Sequence, residues 1–109
     1  MKASYWQRGE TIDFKNNTGK KIEATDIVVI GTRIGVAGGD IENGETGAVH
    51  VTGVFQMKKK AEAVALGQLL YADKDSMDIT GTEDGNIPAG WAVYPSGADS
   101  NSVYVKLLG

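Results

Sequence analysis

The chain has 109 residues, 41% of them hydrophobic, and a net charge of −3. That length allows one domain with one modest core, and the hydrophobic content is too high for a disordered chain. There is no cysteine, which excludes disulfides, thiolate zinc sites and a thiol nucleophile, and no apolar run approaches the ~18 residues of a membrane span.

The opening MKASYWQRGE carries a lysine but no apolar stretch of the secretory kind. Lys2, Arg8, Lys15, Lys20 and Lys21 outnumber Glu10 and Asp13 in residues 1–21, while residues 61–109 are acidic. A basic arm on an acidic remainder suits docking on another protein. It does not make the concentrated basic face that nucleic acid requires. Glycine is frequent, at 15 residues against 2 prolines, which favours many turns between short strands.

Residues 1–9 read as an arm and residues 10–109 as a single β-domain. Tyr5 and Trp6 precede any strand signal, so they either pack under the domain or lie on a neighbour. Glu10 to Lys15 alternates, with Ile12 and Phe14 on one face, and Asn16-Asn17-Thr18-Gly19 is a turn cluster. Ile27-Val28-Val29-Ile30 is a continuous β-branched run, expected as a strand buried on both faces or closing a barrel. Arg33 to Ala37 is a short strand broken by Gly38-Gly39-Asp40. Gly44 to Met57 alternates throughout and is expected as one long central strand, bent at Gly53.

Lys58 to Ala63 is the only helix-prone stretch, sufficient for one or two turns. Gln68 to Ala72 and Met77 to Thr80 read as a hairpin around Asp73-Lys74-Asp75-Ser76. Trp91 to Tyr94 is expected as a strand after a Gly85-to-Gly90 lead-in. Ser102 to Leu107 closes the chain with Val103, Val105 and Leu107 facing in. The segment from Ile22 to Val29 echoes the one from Val64 to Tyr71, each being an apolar residue, a turn and three apolar residues, as in a pseudo-repeat. Many short strands without long helices give an all-β fold, a small β-sandwich or partly open barrel with at most one short helix. A doubly wound nucleotide fold is disfavoured.

Chemistry is sparse. Thr18-Gly19-Lys20-Lys21 lacks the glycine loop of a phosphate-binding motif, and Gly31 to Gly39 leads into no helix. His50, the only histidine, lies mid-strand away from any nucleophile elbow, so it reads as a surface or interface residue. Asp73, Asp75 and Asp78 cluster in a turn, but the spacing departs from a calcium loop, and the reading is a solvated turn. Lys58-Lys59-Lys60, without basic aromatic neighbours, reads as a solvated loop or a patch for an acidic partner. No catalytic residue, cofactor or metal is expected.

Taken together, Ile27-Val-Val-Ile-Gly, Arg33-Ile-Gly-Val-Ala, Gly44-Glu-Thr-Gly-Ala-Val, Val51-Thr-Gly-Val-Phe, Gly67-Gln-Leu-Leu-Tyr-Ala-Asp, Gly85-Asn-Ile-Pro-Ala-Gly-Trp-Ala and Val103-Tyr-Val-Lys-Leu resemble a family of small phage and prophage proteins. These are capsid cement or decoration proteins, some labelled as RecA/RadA-type recombinases, a label this chain's lack of a Walker motif contradicts. The lysine run at 58–60 departs from the family's more neutral connection. The resemblance implies a non-enzymatic virion protein that is made in the bacterial host cytoplasm and sits on the outer capsid surface. Its partners would be the major capsid protein and two further copies in a trimer, with no nucleic acid and no membrane. On that reading Lys2, Tyr5, Trp6 and Arg8 of the arm contact the capsid, and His50, Trp91, Tyr94 and Tyr104 serve self-association. The rival readings are a small ligand- or glycan-binding β-barrel, which needs a convergent polar and aromatic pocket, and a hydrolase built on the carboxylates at 73, 75 and 78.

Overall fold

A computed structural model describes residues 1–108, and among them every regular element is a strand. In chain order these are β1 (Thr11–Lys15), β2 (Ile27–Ile30), β3 (Arg33–Ala37), β4 (Thr46–His50), β5 (Val54–Lys58), β6 (Leu69–Ala72), β7 (Ile79–Thr80), β8 (Ile87–Ala92) and β9 (Ser102–Leu107). They form two antiparallel sheets, ordered β1-β4-β3-β2 and β5-β9-β8-β6-β7. The all-β expectation holds. One bridge between Lys59 and Ile79 links the ends of β5 and β7 without closing a barrel.

The two sheets are one design used twice. Strand β1 pairs with β4 as β5 pairs with β9, and the order β4-β3-β2 corresponds to β9-β8-β6. The connections match bond for bond. Ile22 exchanges two backbone hydrogen bonds with Ile41, and Val64 does so with Ser96. The Thr25 N–H donates to Ala37 O and the Gly67 N–H to Ala92 O, both at helix-like left-handed φ values of 73° and 82°. Gly35 and Gly90 hold equivalent sites where a Cβ would strike the carbonyl oxygen of His50 or of Lys106, so only glycine fits both. The echo between Ile22–Val29 and Val64–Tyr71 is therefore a structural repeat of the whole four-strand unit.

Each unit has a core. In the first, Val28, Ala37 and Val49 lie under Ile22 and Ile41 from the connecting loops, with Phe14 and Ile30 beside them. In the second, Met57, Val64, Leu70, Ala72, Ala92, Val103, Val105 and Leu107 fill the inner face of the five-stranded sheet. The opposite face of β3 joins them: Ile34 and Val36 are buried in this second core, and Ile27 packs against it. Strand β3 is thus buried on both sides, and burying each such aliphatic side chain contributes about 1.5–3 kcal/mol.

Several expectations are corrected. The stretch Gly44–Met57 is two strands in different sheets, because the chain turns at Val51–Gly53, where Gly53 adopts φ 116°. Its alternation survives the break, with Val49 and Met57 both facing inward. Strand β2 lies at a sheet edge and turns Val29 outward, 41% exposed, so it is neither buried on both faces nor part of a barrel seam. The strand expected at Trp91–Tyr94 runs instead from Ile87 to Ala92. Pro88 is accommodated there by an irregularity in register opposite Leu70 and Tyr71. Lys58–Ala63 forms no helix: Lys58 ends β5 and the next residues cross the end of the sheet.

Candidate interaction surfaces

The lysine run is three environments. Lys58 is exposed at the end of β5, whereas Lys59 is only 3% exposed. Its Nζ donates to the carbonyl oxygens of Glu62 and Gly97, each at 2.8 Å, with Lys60 O at 3.4 Å. An ammonium carries three donors, and three carbonyls satisfy them. Lys60 reaches the other way and forms a salt bridge with Asp73. The expected solvated patch is therefore mostly a structural device.

The acidic turn is equally committed. The Asp73 carboxylate accepts from Lys60 Nζ and from the N–H groups of Asp75 and Ser76. Those donors, the Lys60 ammonium first, hold its carboxyl far below the usual carboxylate range. Its oxygens are spent on folding the turn. Among the described residues no cluster of three or more acidic or histidine side chains is placed to hold a metal ion.

The arm residues Lys2, Tyr5, Trp6 and Arg8 are all exposed, Trp6 to 88% and Tyr5 to 83%. The arm's one side-chain hydrogen bond to the body joins Gln7 Nε2 to Thr11 O at 3.3 Å. Tyr5 and Trp6 are not packed under the domain.

The four residues expected at a self-association face separate into three and one. Trp91, Tyr94 and Tyr104 share the outer side of the five-stranded sheet. Register puts Leu69, Trp91, Lys106 and Val54 in one cross-strand row there, and Tyr104 beside Gln56 in the next. Tyr94 meets Tyr104 edge to face, with ring centroids 5.6 Å apart. Leu69 is 58% exposed, and Val54, Leu66 and Leu108 are also open to solvent. These apolar side chains flank Lys106, and exposed apolar groups gathered on one face make a candidate contact surface. His50 is elsewhere: it is half-buried on β4, with its ring 6.0 Å from that of Phe55 at the passage between the sheets. Sequence reasoning missed Leu69 and Val54; the signal was the run Leu69-Leu70, in which only one residue of an alternating strand can face the core.

The same side of the first unit is covered. Ile27 and Val36 hold the positions that Leu69 and Trp91 hold in the second, and both pack on the second unit's core. The molecule thus buries these two positions in the first unit, and at their counterparts leaves Leu69 exposed and Trp91 half-buried.

A groove of about 470 Å³ runs along the outer edge of β2. Ile27, Val28 and Val29 form one side, and Ser76, Met77 and Asp78 the other. No aromatic side chain lines it, so it is not the polar and aromatic pocket a glycan-binding barrel requires. A comparison with family models matches residues 6–107 to the phage cement protein family. No curated protein and no solved structure matches the chain.

Proposed function

The chain belongs to the phage cement protein family, and we propose that it stabilises the shell by binding the major capsid protein on the outer capsid surface as a homotrimer. Membership makes it a structural, capsid-associated phage protein. A cement protein works by being present at a joint, so the chemistry it needs is rigidity and adhesion. Two packed sheets, with buried polar groups satisfied, supply the first.

The observation that carries the reading is the open outer face of the five-stranded sheet. Leu69, exposed, and Trp91, half-buried, stand there at the positions where Ile27 and Val36 of the first unit pack into the core, and Tyr104 lies exposed beside them. A flat apolar face with Trp and Tyr is the composition of a protein–protein hot spot. The protein would be made in the bacterial host cytoplasm and join the shell after or during its assembly. It acts without an active site, and no cofactor, nucleic acid or membrane enters the mechanism.

The test is co-sedimentation of the purified chain with expanded, undecorated shells, comparing it with Trp91→Ser and Leu69→Ser. Saturable binding by the parent and loss in both variants is expected. Equal binding by all three would remove this face from the account.

A further inference from the structure

The repeat also shows what one sheet edge lacks. In the second unit, β6 is followed outward by a fifth strand: β7 pairs with it antiparallel, Thr80 opposite Tyr71 and Ile79 opposite Ala72. That strand comes from the long connection between β6 and β8. In the first unit, Val29 and Ile30 occupy the positions of Tyr71 and Ala72, but β2 turns directly into β3 through Gly31 and Thr32. No strand follows. Among the described residues the outer edge of β2 has no backbone partner. It is this edge that forms one side of the 470 Å³ groove, with Met77 opposite. An unpaired, aliphatic edge strand is a template for an added strand.

We infer that the edge of β2 receives the N-terminal arm of a second copy of this chain, as an added strand in the position β7 takes in the other unit. The arm fits in three respects. It has no regular structure, and among the described residues its one side-chain hydrogen bond to the body comes from Gln7. As a strand it would turn Tyr5 to one side of the sheet and Trp6 to the other, so each aromatic gains a wall. Its cations, Lys2 and Arg8, flank those aromatics, and the groove is lined by two acids, Asp26 and Asp78, against one cation, Lys58.

The arm comes from a second copy because of geometry. It leaves from β1, at the opposite edge of the sheet. The added-strand position lies four strand spacings away, about 19 Å along the sheet. Trp6 precedes Thr11 by five residues, which fully extended span about 17 Å. Within one chain Trp6 cannot cross the sheet and still enter the groove.

An arm-to-groove contact joins two different patches, so repeated head to tail it makes a ring wherever the rotation between copies closes, and a trimer ring presents the same face of every copy to one side. The inference rests on the cement reading for its setting and moves the arm from the shell contact expected from the sequence to the contact between copies. The outer sheet face is then free for the shell.

The chain has no cysteine, so Ser4→Cys gives a single attachment point for a benzophenone photo-crosslinker beside intact Tyr5 and Trp6. The labelled full chain is mixed with isotope-marked unlabelled chain, free and on shells, and crosslinks are mapped by mass spectrometry. Crosslinks from the label to residues 26–30 or 76–78 of the other chain are expected, and they should be lost with Val29→Lys in the receiving chain. Val29 is already open to solvent, so this change leaves the core intact, and an unchanged melting temperature checks it. Crosslinks within one chain, crosslinks to the shell protein alone, or none in either setting would overturn the inference. Crosslinks to β2 from a chain that fails to bind shells would leave the inference standing and overturn the cement reading instead.

Discussion

Asn16 and Lys59 occupy the same place in the two halves of the molecule. Each follows the first strand of its unit, and each N–H donates to the residue before the last strand, Glu45 or Asn101. Both side chains are buried and donate to loop carbonyls: Asn16 Nδ2 to Lys20 O and Ile41 O, Lys59 Nζ to Glu62 O and Gly97 O. An amide and an ammonium have been fitted to one architectural task, fastening the crossing loop to the sheet.

Removing either peg breaks the fastening: Lys59→Met leaves Glu62 O without a donor, and Asn16→Ala leaves the Thr18 N–H without its Asn16 Oδ1 acceptor. Lys59→Met and Asn16→Ala are each expected to destabilise the protein by about 1–3 kcal/mol, the cost of leaving one buried or part-buried polar group without its partner. Urea unfolding monitored by tryptophan fluorescence measures this. A change under about 0.5 kcal/mol in both would show that water replaces the side chains freely.

Thr25 and Gly67 make a second matched pair with unequal residues. Thr25 sits at φ 73°, a region unfavourable for a β-branched residue, where its counterpart is glycine. Thr25→Gly should raise stability by about 0.5–1 kcal/mol, relief of backbone strain outweighing the greater freedom of glycine in the unfolded chain. The reverse change, Gly67→Thr, should lower it by about 1–2 kcal/mol. Thermal melts of the two variants decide the sign.

Acid should loosen the Asp73 turn. The Asp73 carboxyl lies below its unfolded value of about 3.9, so it favours folding above that pH. The contribution is complete near neutrality and is lost as pH falls below about 4. Asp73→Asn should therefore flatten part of the acid limb of the stability curve. The remainder persists because Asp40 is also held low, by the Ala24 N–H and then Lys21. Identical acid limbs in parent and variant would contradict this.

Alanine at Trp91 or Leu69 should separate adhesion from folding. Leu69 is exposed and Trp91 half-buried on the outer sheet face, so the stability of the free chain should change by about 1 kcal/mol or less for Leu69→Ala and about 1–2 kcal/mol for Trp91→Ala. Shell affinity should fall at least about tenfold, as for an interface anchor. Unfolding curves and binding isotherms on the same preparations make the comparison.

Much of this was legible in the sequence, and the residues explain where legibility stopped. Strand β9 reads directly, because Val103, Val105 and Leu107 alternate with polar residues and all three are buried. The echo of Ile22–Val29 in Val64–Tyr71 pointed to the repeat, yet alternation alone could not show that Gly53 moves the chain from one sheet to another. A period of two continues across such a turn when both strands bury the same parity. Lys59 was illegible, since nothing in three consecutive lysines distinguishes a buried one. Pro88 argued against a strand and was overridden by a change of register. At the surfaces, aromatic content singled out Trp91, Tyr94 and Tyr104, which do share a face, but gave no means of separating His50 from them.

On the function proposed above, the protein strengthens a phage shell. The most direct measurement is the thermal stability of expanded shells with and without saturating protein. The account predicts saturable binding and a higher disruption temperature, with the gain abolished by Trp91→Ser. Shells that neither bind the protein nor change their disruption temperature would contradict it.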